Sequence, residues 1–150
     1  MDVVQKAIEK YIPILKVVEG NETYQGALRS RLRSLPQMLL DMGIMRTITF
    51  FAAKAELPNV KKALEIYEGG DFGEVKKEKA GYALALAMIL KFLKEDVNMA
   101  VPEELNANEF LNFLRNQLQP KKREIGLRLF PFVVELKKLG EATLKEARGE

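Results

Sequence analysis

Apolar residues recur every three or four positions along almost the whole chain, and this spacing constrains the fold more than any other feature. After Asn106, for example, the apolar positions are Phe110, Leu111, Leu114 and Leu118. Such spacing places side chains on one face of an α-helix. No segment alternates between apolar and polar residues beside a hairpin turn, as a half-buried strand would. We therefore predict an all-α fold, a single domain over residues 1–150 built as a bundle of about six or seven helices.

Glycine and proline residues divide this pattern into helices. We expect breaks at Gly20-Asn21, Pro36, Met42-Gly43, Pro58, Gly69-Gly70 and Pro120. Proline inside a helix removes a backbone hydrogen bond and clashes with the preceding turn, so we expect kinks at Pro13 and Pro131.

Three predicted helix starts carry capping residues. They are Asn21 or Thr23, Asp71 with Glu74, and Asn106 with Glu109. Each supplies a side-chain oxygen for the free N–H groups of a first helical turn. The segment Ile44–Glu56 is apolar on nearly every side. A helix with apolar residues all round normally lies at the centre of a fold, so we expect this one to be central.

The composition argues against an enzyme. The chain has no cysteine and no histidine, which removes thiolate chemistry, the commonest general base and the commonest metal ligands. The acidic clusters, such as Glu103-Glu104, are typical of solvated charge near helix ends. Phosphate-binding glycine motifs are missing from the sequence. We therefore predict no catalytic residue, no metal, no cofactor and no small-molecule substrate.

The chain is mildly basic, and nothing in it predicts a membrane segment. Its formal net charge is +3, and the excess lies in residues 76–150. The longest uncharged apolar run, Ala80 to Leu90, is far shorter than the roughly 20 residues that span a bilayer. The first residues carry no basic segment typical of a secretory signal. We expect a cytoplasmic protein, and the charge permits a nucleic-acid partner without requiring one.

Two basic clusters are the candidate contacts for such a partner. In the first, Arg29 and Arg33 share one helix face, while Arg31 falls on the face of Tyr24 and Leu28. These arginines fit either phosphate contact and stacking on a base or a solvated face with local ion pairs. The second cluster, Lys121-Lys122-Arg123, follows Pro120 at a predicted helix start. Cations there oppose the helix dipole, which hints at a use in binding an anion.

The first half of the chain carries a recognisable motif. It consists of a tyrosine, a Leu-Pro step, an apolar pair, a glycine break and an apolar helix that ends in Phe-x-x-x-Lys. Its elements here are Tyr24, Leu35-Pro36, Met38-Leu39, Gly43-Ile44, Thr47, Phe50-Phe51 and Lys54. This run resembles the small α-helical subunit of the type III-B CRISPR effector, the Cmr complex.

The resemblance implies a structural role without catalysis. Small subunits of that complex stack beside a filament of backbone subunits that holds a guide RNA, close to the path of the target RNA. The implied partners are other Cmr subunits, including further small subunits, and guide and target RNA. The candidate RNA contacts are Arg29, Arg31, Arg33, Lys54, Lys121, Lys122 and Arg123, and Lys54 enters through the family motif alone.

A second interpretation also fits the sequence. The chain would be a helical protein-interaction module without nucleic acid, using its apolar third helix or a stripe formed by Phe110, Phe113 and Leu114. The two interpretations differ in their response to salt, because phosphate contacts weaken as salt rises and apolar contacts do not.

Overall fold

The computed structural model describes residues 1–147, and within this range the chain forms helices joined by short loops, without a strand. The α-helices are α1 (Val3–Val18), α2 (Glu22–Ala55), α3 (Leu57–Glu65), α4 (Lys77–Glu95), α5 (Ala107–Phe113) and α6 (Lys122–Thr143). A 3₁₀ turn, Ile66–Glu68, follows α3, and a wide π turn, Leu114–Leu118, with a 3₁₀ turn, Gln119–Lys121, joins α5 to α6. The predicted all-α class is confirmed.

Proline interrupts these helices less than the sequence suggests. Pro13, Pro36 and Pro131 all lie inside helices that continue past them, so the break expected at Pro36 is wrong. The packing of α2 against its neighbours outweighs the single lost hydrogen bond. The main chain of α2 departs from helical geometry at Gly43 instead, where φ is 80° and ψ is 170°. Glycine alone reaches this conformation without steric cost, and the break expected at Met42-Gly43 is confirmed.

Two of the three predicted caps form. The Asn21 side chain accepts a hydrogen bond from the Tyr24 N–H, and Asn106 accepts one from the Glu109 N–H. The Asp71 cap is wrong, since Asp71 accepts a bond from the Gly73 N–H within a loop and α4 begins only at Lys77.

A tyrosine explains why this loop stays extended. The Tyr24 hydroxyl donates a hydrogen bond to the Val75 carbonyl and accepts one from the Val75 N–H. A helix that began at Asp71 would need these backbone groups for its own ladder. The side chain on α2 therefore holds the loop and delays the start of α4.

The central helix is α4. Its residues from Ala83 to Leu90 are all buried, and it packs against α1, α2, α3 and α6, while α2 and α1 also pack against α6. The expectation that Ile44–Glu56 would be central is wrong, because that part of α2 leaves Phe50 and Lys54 exposed to solvent. Small side chains explain the difference, since four alanines between Ala80 and Ala87 let the neighbouring helices approach α4 closely.

Helices α2 and α4 approach each other closely at Gly81. A β-carbon added there would lie 2.6 Å from the Ala27 carbonyl oxygen and 3.0 Å from Cγ of Arg31. Real β-carbons do not tolerate such a distance to backbone, so the crossing requires glycine.

An ion-pair group fastens α1 to the end of α4. The Lys10 side chain is only 5% exposed, and its Nζ lies 2.5 Å from Asp96 Oδ2 and 3.5 Å from Glu95 Oε1. Lys91 also pairs with Glu95, at 3.1 Å. Burial raises the pKa of Glu95, but the hydrogen bond and charge of Lys91, together with Lys10, outweigh it and hold this pKa below its ordinary value.

The crossing at Gly81 is tested by two glycine-to-alanine substitutions of opposite expected sign. Gly81→Ala should lower the free energy of unfolding by about 1–3 kcal/mol, because overpacking outweighs the gain in helix propensity. Gly126→Ala is the matched control, since its nearest neighbour would be 3.9 Å away, at Ile44. It should raise the free energy of unfolding by about 0.5–1 kcal/mol. Urea denaturation of both variants measures this, and a stabilised Gly81→Ala would contradict the crossing.

The Glu95 ion pairs predict a pH dependence of stability. A carboxyl whose pKa falls on folding stabilises the protein above its unfolded value, here 4.5, and this stabilisation is lost as the pH drops through the folded value. Glu95→Gln should therefore lower the free energy of unfolding at pH 7 by about 0.2–1 kcal/mol, a small effect because Glu95 is partly exposed. The difference from the unmodified protein should vanish in acid. A difference that persists or grows there would refute this account.

Candidate nucleic-acid interface

The seven predicted contact residues fall at three places on the surface. Arg29 and Arg33 lie on the side of α2 that faces the segment after α6. Arg31 and Lys54 lie beside aromatic rings where α2 meets α4. Lys121, Lys122 and Arg123 lie at the start of α6.

Arg29 and Arg33 converge on one carboxylate. Arg29 Nη1 lies 3.3 Å from Glu146 Oε1, and Arg33 Nη2 lies 3.4 Å from the same oxygen. The predicted shared face is thus confirmed, and its geometry suits an anion with oxygens spaced like those of a carboxylate or phosphate. A phosphate that approaches these arginines has to compete with Glu146.

The segment that carries Glu146 is docked along α2 by further contacts. Gln25 accepts a hydrogen bond from the Lys145 N–H at 3.1 Å, and Lys145 Nζ pairs with Glu22 at 2.6 Å. Gly26 leaves the room that Ala147 occupies, since a β-carbon there would lie 2.6 Å from the Ala147 Cα. Sequence patterns do not predict this docking, because the partners lie about 120 residues apart.

Arg31 is held by an aromatic side chain of α4. Its guanidinium donates a hydrogen bond to the Tyr82 hydroxyl, and its Cζ lies 4.8 Å from the centroid of the Tyr82 ring. The expectation that Arg31 would share a face with Tyr24 and Leu28 misses this neighbour, because Tyr82 lies 51 residues further along the chain.

Lys54 lies over a second ring, and the two cation–ring pairs are joined. Lys54 Nζ is 5.5 Å from the Phe50 centroid, and the Phe50 and Tyr82 rings meet edge to face at 5.9 Å. We call the four residues Arg31, Tyr82, Phe50 and Lys54 the cation–aromatic patch. Phe50 belongs to the apolar segment that the sequence predicts to be central, whereas this residue is 36% exposed.

A shallow groove continues from this patch between α2 and α4. It has a volume of about 300 Å³ and includes Arg31, Tyr82, Gly81 and Lys77 in its lining. Lys77 was not among the predicted contacts. Its position in the basic run Lys76-Lys77 directly before the longest apolar stretch is the signal that would have found it.

The cluster Lys121, Lys122 and Arg123 projects into solvent around the first turn of α6. Within residues 1–147, none of the three forms an ion pair within 4.0 Å. They line an open groove of about 720 Å³ with Arg128 and with Leu127, whose side chain is 72% exposed. Arg128 also donates a hydrogen bond to the Asp96 carbonyl, at 2.9 Å. In the described part of the chain, Glu124 is the one acidic residue in the lining of this groove, so the four cations leave a net positive surface beside the helix N-terminus.

Neither a metal centre nor an activated nucleophile is evident in the described part of the chain. Residues 1–147 contain no group of three or more acidic side chains that could hold a metal ion. Burial raises the pKa of Tyr67, as does the nearby charge of Glu95, and burial also raises the pKa of Tyr11. These phenols therefore stay protonated at neutral pH. None of the helices in this range is long and apolar enough to cross a membrane.

Two solved structures share this fold. One is a chain in the cryo-EM structure of the type III-B Cmr-beta complex bound to non-cognate target RNA. It has a TM-score of 0.87 and 18% identity, over 98% of this chain and 99% of that chain. The other is a chain in the cryo-EM structure of the type III-B Cmr-beta complex bound to cognate target RNA and AMPPnP. It has a TM-score of 0.80 and 19% identity, over 97% of each chain.

The family assignment comes from the sequence itself. No curated protein sequence matches this chain, but the family model described as CRISPR-associated protein (Cas_Cmr5) matches residues 4–143. The predicted resemblance to the small subunit of the type III-B Cmr complex is thereby confirmed. With nearly its whole length matched, the chain belongs to the Cas_Cmr5 family.

Proposed function

We propose that this protein is a non-catalytic small subunit of a cytoplasmic type III-B Cmr ribonucleoprotein, which stacks beside the guide-RNA backbone and contacts target RNA through basic side chains. Family membership supports the assignment to the complex. The two similar chains described above come from Cmr-beta complexes bound to target RNA, which supports an RNA partner. Backbone subunits and further small subunits are the protein partners.

The observation that carries the RNA contact is the unpaired cation cluster at the start of α6. Lys121, Lys122 and Arg123 weaken the helix they begin, because a helix N-terminus favours anions. Glu124 lies in the same first turn, but within residues 1–147 none of the three cations forms an ion pair within 4.0 Å. An RNA backbone along this surface would supply the missing negative charge and release its counterions. Binding of this kind does not depend on sequence, since base pairing with the guide supplies the specificity.

The arginines of α2 add a second point of contact. Arg29 and Arg33 already bind one carboxylate, that of Glu146, in a geometry that a phosphate can share. Arg31 and Lys54 are also on α2 but form no ion pair with Glu146. They lie beside the rings of Tyr82 and Phe50. Several copies of the subunit in one assembly would multiply these individually weak contacts.

Charge reversal of the α6 cluster tests the proposal, because it should weaken RNA retention without lowering the stability of the subunit. Lys121→Glu, Lys122→Glu and Arg123→Glu, introduced together, should leave the melting temperature unchanged or slightly raised, because anions suit this helix end. The same variant in a reconstituted Cmr complex should retain target RNA less tightly. The slope of log Kd against log salt should also decrease, by about 0.7 per lost phosphate contact on a single strand.

Reversal of exposed lysines elsewhere provides the control. Lys16 and Lys62 are exposed on α1 and α3, and Lys16→Glu with Lys62→Glu should leave RNA retention and its salt dependence unchanged. Arg29→Glu with Arg33→Glu should reduce retention as the α6 variant does. RNA retention that is the same in all of these complexes would overturn the proposed RNA contact.

The alternative, a protein-interaction module without nucleic acid, cannot use the stripe predicted from the sequence, because Phe110, Phe113 and Leu114 are buried. One other structural observation is in its favour. Val4, Ile8 and Ile12 form an exposed apolar stripe along α1, and stripes of this kind often lie at protein interfaces. If this were the whole function, the charge-reversed subunits would assemble normally and RNA retention would not depend on them.

A further inference from the structure

We propose that the cation–aromatic patch is a stacking site for one base of single-stranded RNA, with the ring of Phe50 as the platform and Arg31 and Lys54 as flanking cations. This inference rests on the proposed function and deepens it. It assigns a role to two aromatic residues, Phe50 and Tyr82, that phosphate contact alone does not use.

The Phe50 ring is exposed and yet held in place. Its side chain is 36% exposed, and its ring centroid lies 5.9 Å from that of Tyr82 and 6.2 Å from that of Phe51. Phe51 is fully buried and packs edge to face on Tyr82, at 5.1 Å. The buried Phe51 ring therefore supports the rings of Phe50 and Tyr82. A base would meet a surface whose orientation is already fixed, so binding would cost little side-chain entropy.

The cations lie where an RNA strand would need them. Lys54 Nζ lies over the Phe50 ring, at 5.5 Å from its centroid. Its exposed side chain is free to move toward a phosphate when a base takes its place. Arg31 is held by its hydrogen bond to Tyr82, whose ring meets Phe50 edge to face, and its guanidinium plane offers a second stacking or phosphate contact.

Lys91 also lies over an aromatic ring, that of Tyr67, at 5.2 Å. That ring is half-buried and its hydroxyl donates a hydrogen bond to the Lys10 carbonyl, whereas Phe50 is exposed. Leu40 is a large apolar side chain on the same helix and is 64% exposed, but no ring or cation contact is formed by it in residues 1–147. Single exposed apolar residues of that kind need no functional explanation. Aromatic rings interleaved with cations are instead the surface that binds single strands without sequence preference, because every base has a π-face.

The experiment uses a reconstituted Cmr complex and a target RNA that carries 2-aminopurine at one position at a time, since stacking quenches the fluorescence of this base. The complex with unmodified subunit is compared with one that carries Phe50→Leu, which keeps an apolar side chain against Tyr82 but removes the π-face. At one or more positions, fluorescence should be quenched with the unmodified subunit and restored with Phe50→Leu. Retention of the RNA should fall by about 5- to 100-fold per stacked base.

Two further variants separate stacking from other effects. Phe50→Tyr retains a ring and should retain both quenching and affinity, whereas Leu40→Ala should change neither. The loss in Phe50→Leu should be equal at low and high salt, while Lys54→Gln should reduce the salt dependence.

Each remaining outcome contradicts stacking in a distinguishable way. If the α6 charge-reversed variant loses RNA but Phe50→Leu changes neither fluorescence nor retention, the stacking site is refuted and the proposed function stands. If Phe50→Leu impairs assembly of the complex without an RNA effect, the patch faces a protein. If neither variant affects RNA, the proposed function fails together with this inference.

Discussion

The close contact between α2 and α4 is the constraint on which the rest of this structure depends. The two helices can approach because Gly81 has no side chain that would clash with the Ala27 carbonyl. The alanines of α4 also allow the neighbouring helices to pack closely against it. With α4 enclosed, the apolar faces of α1, α2, α3 and α6 all find a partner on or around it. The same contact brings Arg31 against Tyr82, and the second half of α2 brings Phe50 to the same ring.

The packing around α4 also determines where the basic groups lie on the surface. The residues of α4 that lie in the interior are small or apolar. The basic groups lie at the helix ends and along the outer side of α2. One carboxylate, Glu146, partly neutralises the α2 arginines, whereas the cations at the start of α6 form no ion pair within residues 1–147. The two basic regions therefore differ in how readily each would accept a phosphate, and the α6 cluster is the more available.

The sequence predicts local features of this fold well and distant contacts poorly. Helical periodicity, the Asn21 and Asn106 caps and the break at Gly43 depend on neighbouring residues, and all of them form. The Asp71 cap fails because Tyr24, far away in sequence, holds Val75. For the same reason the shared face of Arg29 and Arg33 was predictable, but the Glu146, Tyr82 and Phe50 contacts were not. Helix spacing places residues on a face without showing what that face meets.

The most direct test of the central claim, that RNA runs along the basic and aromatic surface of this subunit, is a map of protein–RNA crosslinks in the assembled complex. Ultraviolet irradiation of a reconstituted Cmr complex with bound target RNA, followed by mass spectrometry, identifies the crosslinked peptides. Crosslinks are expected in the peptides that contain Phe50, Tyr82 and the start of α6. Crosslinks confined to α1 and α3, or a subunit that carries none while the backbone subunits are labelled, would contradict it.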